Sequence, residues 1–263
     1  MATAGLSTGE RIFRQAYALR ILLALLLLGL LIGIWASLDD PRPSSNPILS
    51  WISLGAVLVY IALWIAIGKT VLTISDQGVR RDSIFGTQEI AWSQIAETRY
   101  LVRPVNAAAH FGLIGALVMV AGKSSAVNLT LTLVSREGTR LKVNSNFKKV
   151  KEAAGIILGR ILPPMVAAAR ARVQRGETVL FGSLALSAAN LVWKNQPPIP
   201  LAELTRAEIA GTNLKIKRTG KWTSAISVRS DKVPDVLVFL EVLESVAPQL
   251  KSSEIDPLAR VRL

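Results

Sequence analysis

Two long apolar runs near its start constrain this chain more than any other feature. Residues 21–38 read ILLALLLLGLLIGIWASL, eighteen positions without a charge, which is about the shortest helix that crosses the hydrocarbon core of a bilayer. Nine are Leu and three are Ile, and each favours insertion by roughly 0.3 to 0.6 kcal/mol near the middle of a span. Asp39, Asp40, Pro41, Arg42 and Pro43 end the run, and residues 48–67 form a second one of twenty uncharged positions. Trp51 and Trp64 lie near its ends, where amphipathic indoles prefer the membrane interface. The expectation is a membrane α-helical hairpin. A cleaved signal peptide is the alternative for the first run, but its polar lead of about twenty residues is long and its small-residue cleavage pattern is poor.

The flanking charges set the expected orientation. Arg11, Arg14 and Arg20 precede the first run, Lys69, Arg80 and Arg81 follow the second, and the connecting loop holds two Asp and one Arg. Positive charge is retained on the cytoplasmic side, so the chain is expected to be a multi-pass protein of the cell (inner) membrane with both termini cytoplasmic. Residues 1–68 account for +1 of the formal net charge of +13, leaving +12 to residues 69–263. Gly29 and Gly33, spaced as Gly-x-x-x-Gly, would let another helix approach closely. Packing against the second span explains them, and a homo-oligomer is the other reading.

Composition narrows the chemistry. The chain has no cysteine and a single histidine, His110, which removes disulfides, thiolate nucleophiles, most zinc chemistry and the usual Ser/His/Asp triad. Acidic residues number only 18 and show no paired-acid signature. No catalytic, cofactor-binding or metal-binding residue is assigned, and a non-enzymatic role is expected. The rival readings are an enzyme with an unrecognised site and a membrane-tethered nucleic-acid binder. Aromatic residues do not interleave with the basic ones as stacking platforms would, which argues against nucleic acid.

After Gly68 the pattern changes to short alternating segments separated by Gly, Asn, Asp and Ser, the mark of strands joined by tight turns. Strands are expected at residues 69–75, 78–83, 87–91, 96–102, 127–135 and 139–144. The turn Ser75-Asp76-Gln77-Gly78 supplies residues suited to positive φ. A helix follows at about 148–162, with Val150, Ala153, Ala154, Ile157, Leu158 and Ile161 on one face. The second half repeats this plan. Leu72-Thr-Ile-Ser75-Asp-Gln-Gly78-Val79 matches Leu184-Ala-Leu-Ser187-Ala-Ala-Asn190-Leu191, and Ile90-Ala-Trp92-Ser-Gln-Ile95 matches Ile199-Pro-Leu201-Ala-Glu-Leu204. Strands at 213–218 and 222–228 and a closing helix from about Pro234 complete it. Val236, Leu237, Leu240, Leu243 and Val246 give that helix an apolar stripe.

This order of strand, Ser-x-x-Gly turn, strand, apolar-x-Trp-x-x-Ile segment, further strands and capping helix resembles the bacterial pleckstrin-homology-like (PH-like) domains found behind paired transmembrane helices. The Gly220-Lys221-Trp222 and Val233-Pro234 segments look like the later part of an uncharacterised family of such proteins. The resemblance covers residues 69–250 and implies an α+β fold of tandem PH-like, partly open β-barrels, each capped by its C-terminal helix. It carries over no catalytic residue. The expected organisation is a cytoplasmic segment at 1–20, the hairpin at 21–68, a first domain at 69–162, a helical linker at 163–176, a second domain at 177–250 and a tail at 251–263.

Two basic clusters are the candidate binding residues. Lys148, Lys149, Lys151, Arg160, Arg170, Arg172 and Arg175 are interrupted only by Glu152. Beside a leaflet each would gain about 1 kcal/mol from anionic phospholipid headgroups, whereas the plain alternative is a solvated helix face. Lys215, Lys217, Arg218 and Lys221 form a second patch, in which alternation places Lys215 and Lys217 on one strand face. Phosphate or inositol headgroups suit it, and an edge strand protected by Lys is the other reading. Residues 107–122 are sixteen uncharged positions, expected as an apolar insert that dips into the membrane or covers the barrel. Gly122-Lys123-Ser124 lacks the first glycine of a phosphate-binding loop, because Leu117 stands there. Trp92, Trp193 and Trp222 are expected to pack at strand ends. The expected partners are therefore the bilayer with its anionic headgroups and an unidentified protein.

Overall fold

The computed structural model describes residues 10–14, 29, 55, 57–62, 70–104, 127–220, 222–250 and 261–262. The chain divides into two compact units, one comprising Met1–Glu89 with Asn146–Lys148 and the other Ile90–Ser145 with Lys149–Leu263.

In the first unit, β1 (Arg11–Arg14), β2 (Val71–Ile74), β3 (Gly78–Ser83) and β4 (Gly86–Ala91, its last two residues belonging to the second unit) form one sheet in that order. β2 pairs antiparallel with both β1 and β3, with Arg14 opposite Val71 and Val71 opposite Asp82. Alternation turns Phe13, Leu72, Ile74 and Val79 inward, and all four are buried. The β2–β3 turn is closed by a side chain. The Ser75 hydroxyl donates to the Gly78 carbonyl at 3.3 Å and accepts from the Gly78 and Gln77 amides at 3.3 Å, the local bonding that makes serine a turn residue. Gly78 itself does not take positive φ, so the serine rather than the glycine explains the turn.

The second unit opens with a 3-10 turn at Trp92–Gln94 and a three-stranded antiparallel sheet of β5 (Ile95–Pro104), β6 (Val127–Ser135) and β7 (Arg140–Asn144). Its inner face carries Tyr100, Val102, Leu129, Leu131, Leu133, Leu141 and Val143, all buried. Helix α1 (Val150–Gln174) packs against β6 and β7 with Ala153, Ala154, Ile157, Leu158, Ile161 and Leu162 buried. The sheet β8 (Val179–Phe181), β9 (Leu184–Leu186), β10 (Asn190–Trp193) and β11 (Ile199–Pro200) follows. A 3-10 turn at Leu201–Glu203 leads into β12 (Leu204–Ala210), β13 (Asn213–Arg218) and β14 (Ile226–Arg229). β15 (Val261–Arg262) pairs with β12 in parallel. Helix α2 (Val236–Val246) has seven buried residues of eleven, a helix enclosed on most sides rather than a striped one. Phe239 of α2 meets Phe181 of β8 edge-on, with ring centroids 5.3 Å apart.

The sequence repeat has a local structural counterpart. Ser187 closes its turn as Ser75 does, donating to the Asn190 carbonyl and accepting from the Asn190 amide, both at 3.1 Å. The 3-10 turns at Trp92–Gln94 and Leu201–Glu203 occupy matching positions, and α1 and α2 each follow a residue in the left-handed region, Lys149 and Asp235.

The expected fold class is corrected by this arrangement. Instead of a membrane helical hairpin with tandem PH-like barrels, the described residues are mostly β-sheet, in four separate sheets of three or four strands, and no two-helix hairpin is seen among them. Within the second unit the 3-10 turn at Leu201–Glu203 breaks the hydrogen-bond ladder between β11 and β12, so the strands of the second repeat form two sheets and not one closed wall. Most of runs 21–38 and 48–67, together with the insert 107–122, His110 and Gly122-Lys123-Ser124, lies outside the described residues. Residues 57–62 are helical. One described helix, α1, is long and apolar enough to cross a membrane by length and composition, yet it packs chiefly against α2 and also against β6, β7 and β8. α1 also continues past the expected end at residue 162, through Pro163 and Pro164, neither of which can donate a helical hydrogen bond.

Asp235 pins the closing helix to the sheet. Its Oδ1 accepts from the Thr98 amide at 2.7 Å and from the Thr98 hydroxyl at 2.9 Å, and its own amide donates to the Thr98 carbonyl at 2.7 Å. Burial raises the Asp235 pKa above its ordinary 3.8, against the lowering effect of the Thr98 hydrogen bonds. The folded state therefore holds this proton more tightly than the unfolded chain. That contribution to stability is full below 3.8 and is lost as pH rises through the raised folded value. Asp235→Ala leaves the buried Thr98 donors without an acceptor and is expected to cost roughly 1 to 3 kcal/mol. Asp235→Asn keeps an oxygen acceptor and tolerates positive φ, so it should cost little and flatten the acid-side pH dependence; denaturant melts of the three proteins across pH 3 to 7 check both outcomes.

Gly182 supplies a second test of the packing. Its φ is +63°, and an added Cβ would lie 2.6 Å from Pro234 Cδ, close enough to force the two segments apart. Gly182→Ala is expected to lose at least about 2 kcal/mol from strain and overpacking together. Gly211→Ala, also at positive φ but with nothing within 4 Å of its Cβ, should lose only the conformational part, and a comparison of thermal midpoints separates them.

Candidate functional site

The second basic patch is built on the outer face of the β12–β13–β14 ladder. Strand alternation buries Leu214, Ile216 and Ile226 and sends Lys215 and Lys217 outward. The register adds two cations that sequence spacing did not group with them. Lys217 lies opposite Arg206 and Lys215 opposite Glu208 on β12, while Lys215 faces Ser227 and Asn213 faces Arg229 on β14. One face thus presents Arg206, Lys215, Lys217 and Arg229 around a single acid, Glu208. Arg206 pairs with Glu208 at 2.8 Å and Arg229 with Asp231 at 2.7 Å, whereas Lys215 and Lys217 make no ion pair among the described residues. Arg206 and Lys217 are like charges directly across a strand pair, an arrangement that costs stability and attracts an anion.

The hairpin that carries this face ends in an aromatic residue. β13 stops at Arg218, Gly220 takes a φ of 74°, and Trp222 is fully exposed. Trp222 therefore does not pack at a strand end as expected. Trp92 and Trp193 are half-buried beneath cations, with Arg160 5.2 Å above the Trp92 ring and Lys194 5.2 Å from that of Trp193. Lys221 lies outside the described residues. Arg218 belongs to β13 but pairs opposite Leu204, beyond an irregularity in the ladder, and its Nε is buried without a hydrogen bond.

The first patch is more fully compensated. All seven of its cations are exposed, but they do not gather on one face. At about 100° per residue, Lys151, Arg160, Arg170 and Arg172 point in widely different directions around α1. Lys149 faces Glu152 at 3.5 Å, and Arg172 and Arg175 share Glu177 at 2.9 and 2.8 Å. Those two guanidiniums hold the Glu177 carboxyl below the usual carboxylate range. Arg160 is engaged with Trp92. Lys148 lies in the first unit, where its amide donates to the Arg14 carbonyl at 2.9 Å.

The register made Arg206 and Arg229 part of the candidate site. Reading residues 204–210 as a strand paired with 213–218 would have found Arg206, because the connecting Gly211-Thr212 is a two-residue hairpin signal. Among the described residues no group of three or more His, Asp or Glu stands close enough to hold a metal ion.

These features define a predominantly antiparallel β protein with a basic, tryptophan-tipped sheet face. The chain belongs to the family of unknown function DUF6585, whose family model matches residues 3–251. No curated protein matches it.

The opposition of Arg206 and Lys217 is testable without any ligand. Lys217→Glu replaces a repulsive cross-strand pair with an attractive one and is expected to raise stability by a few tenths to about 1 kcal/mol. An unchanged or lowered melting temperature would show that the two side chains do not feel each other.

Proposed function

We propose that the protein is a non-enzymatic binding or scaffolding protein of the cell (inner) membrane that engages anionic headgroups of the cytoplasmic leaflet through its β12–β14 face. The supporting observation is the outward ladder of Arg206, Lys215, Lys217 and Arg229, carrying one acid on the strand face and ending beside a fully exposed tryptophan. Cations supply long-range attraction to anionic lipid, and an indole suits the boundary between headgroups and acyl chains. Its apolar runs at 21–38 and 48–67 hold the chain at the bilayer in a multi-pass arrangement with both termini cytoplasmic. Leu58, Val59 and Ile61, exposed on the helical stretch 57–62, suit a hydrocarbon environment and not water.

The test uses the full chain in nanodiscs of neutral lipid and of lipid containing a fraction of anionic phospholipid, with hydrogen exchange read over residues 213–218. Anionic lipid is expected to slow exchange there. Lys215→Gln with Lys217→Gln removes about 2 kcal/mol of attraction and should restore the rate seen in neutral discs, as should high salt. Equal exchange in both lipids would exclude headgroup binding at this face. Slowing by an added oligonucleotide in neutral discs would favour a nucleic-acid ligand instead.

A further inference from the structure

The sheet of the first unit has two turns built on one frame. Ser75-Asp76-Gln77-Gly78 joins β2 to β3, and Ser83-Ile84-Phe85-Gly86 joins β3 to β4. In each, the serine hydroxyl donates to the glycine carbonyl, at 3.3 Å for Ser75 and 3.0 Å for Ser83, and accepts from the amide two residues on at 3.3 Å. The frame itself demands nothing apolar, since Asp76 and Gln77 fill its middle positions at the first turn. At the second the same positions hold Ile84 and Phe85, which are 46% and 90% exposed. The turn is also firmly held. Asp82 accepts from Arg80 at 3.0 Å and from the Thr87 hydroxyl at 2.7 Å, and Gly86 takes a φ of 121°. Two large apolar side chains are thus kept in the open by a braced hairpin.

The register fixes which end of the sheet this turn occupies. Arg14 is opposite Val71, and Val71 is opposite Asp82, so the end of β1, the start of β2 and the Ser83–Gly86 turn share one end. The polar Asp76-Gln77 turn is at the other. The apolar runs leave and rejoin the sheet at the first end, since residue 21 follows Arg14 by seven positions and residue 67 precedes Val71 by four. Four residue steps reach at most about 14 Å, which places this end of the sheet close to whatever surrounds residue 67.

We infer that the Ser83–Gly86 turn is a separate bilayer contact, in which Ile84 and Phe85 enter the boundary between headgroups and acyl chains. The inference rests on the membrane placement proposed above and adds to it a site in neither apolar run nor basic patch. Such a contact fixes the angle at which the sheet stands on the membrane, because the chain connections and the loop tip then hold one edge at separate points.

The absence of cysteine allows single-site labelling of the full chain. Leu58→Cys, Gln77→Cys and Ile84→Cys, each carrying an environment-sensitive fluorophore, are reconstituted in nanodiscs with and without lipid-borne nitroxide quencher. Positions 58 and 84 are expected to be quenched roughly twofold or more and position 77 to be little affected, as for a side chain seated in the interfacial zone. Adding Phe85→Asp should release position 84 from quenching while position 58 stays quenched. Quenching at 58 without quenching at 84 would overturn the loop contact and leave the membrane placement standing. No quenching at 58 would overturn the placement itself, and the loop contact with it.

Discussion

The pairing of β1 with β2 is the interaction on which the rest of the first unit depends. It joins residues 11–14 to 71–74 across most of the apolar sequence, so the chain must leave and return at the same end of one sheet. Four residues make a marginal strand on their own. Here Phe13 lies buried in line with Leu72 and Ile74, and the ladder continues through β3 into β4. The closure fixes which turn lies near the apolar runs and which points away, and that choice puts Phe85 at one end and Asp76 at the other.

In the second unit the corresponding element is the link between Asp235 and Thr98. A residue just before the closing helix reaches back to the longest strand with both its backbone and its side chain. Burial works against the charge of Asp235 while the Thr98 donors favour it, a balance in which the hydrogen bonds decide geometry and burial decides pH response. The left-handed conformation at 235 is matched at Lys149 before α1, so both long helices begin from the same backbone device.

Much of the strand pattern was legible because period-two alternation is strong wherever one face is buried. Residues 78–83, 127–135 and 213–218 are strands at the expected bounds, and the Ser75 and Ser187 turns repeat the same bonding. Other features were not legible, for identifiable reasons. β1 is four residues long and sits among arginines, so its single buried aromatic gave no periodicity to read. Two of the breaks between sheets, β4 to β5 and β11 to β12, fall at short 3-10 turns, a matter of backbone geometry that alternation does not report. The helix through Pro163 and Pro164 ran against local propensity, since proline is disfavoured inside helices. For the candidate site, Lys215 and Lys217 could be placed on one face from spacing, but Arg206 and Arg229 join them only through cross-strand register. The long basic run looked the stronger candidate in sequence, yet its charges diverge around α1 and several meet acids.

Extraction of native membranes at alkaline pH tests most directly the proposal that this DUF6585 chain is held in a membrane. Such treatment strips proteins held by charge alone and leaves those embedded in hydrocarbon. The full chain is expected to stay with the membrane pellet and to float with lipid afterwards; its recovery in the supernatant, at alkaline pH or in salt alone, would show that hydrocarbon does not hold it.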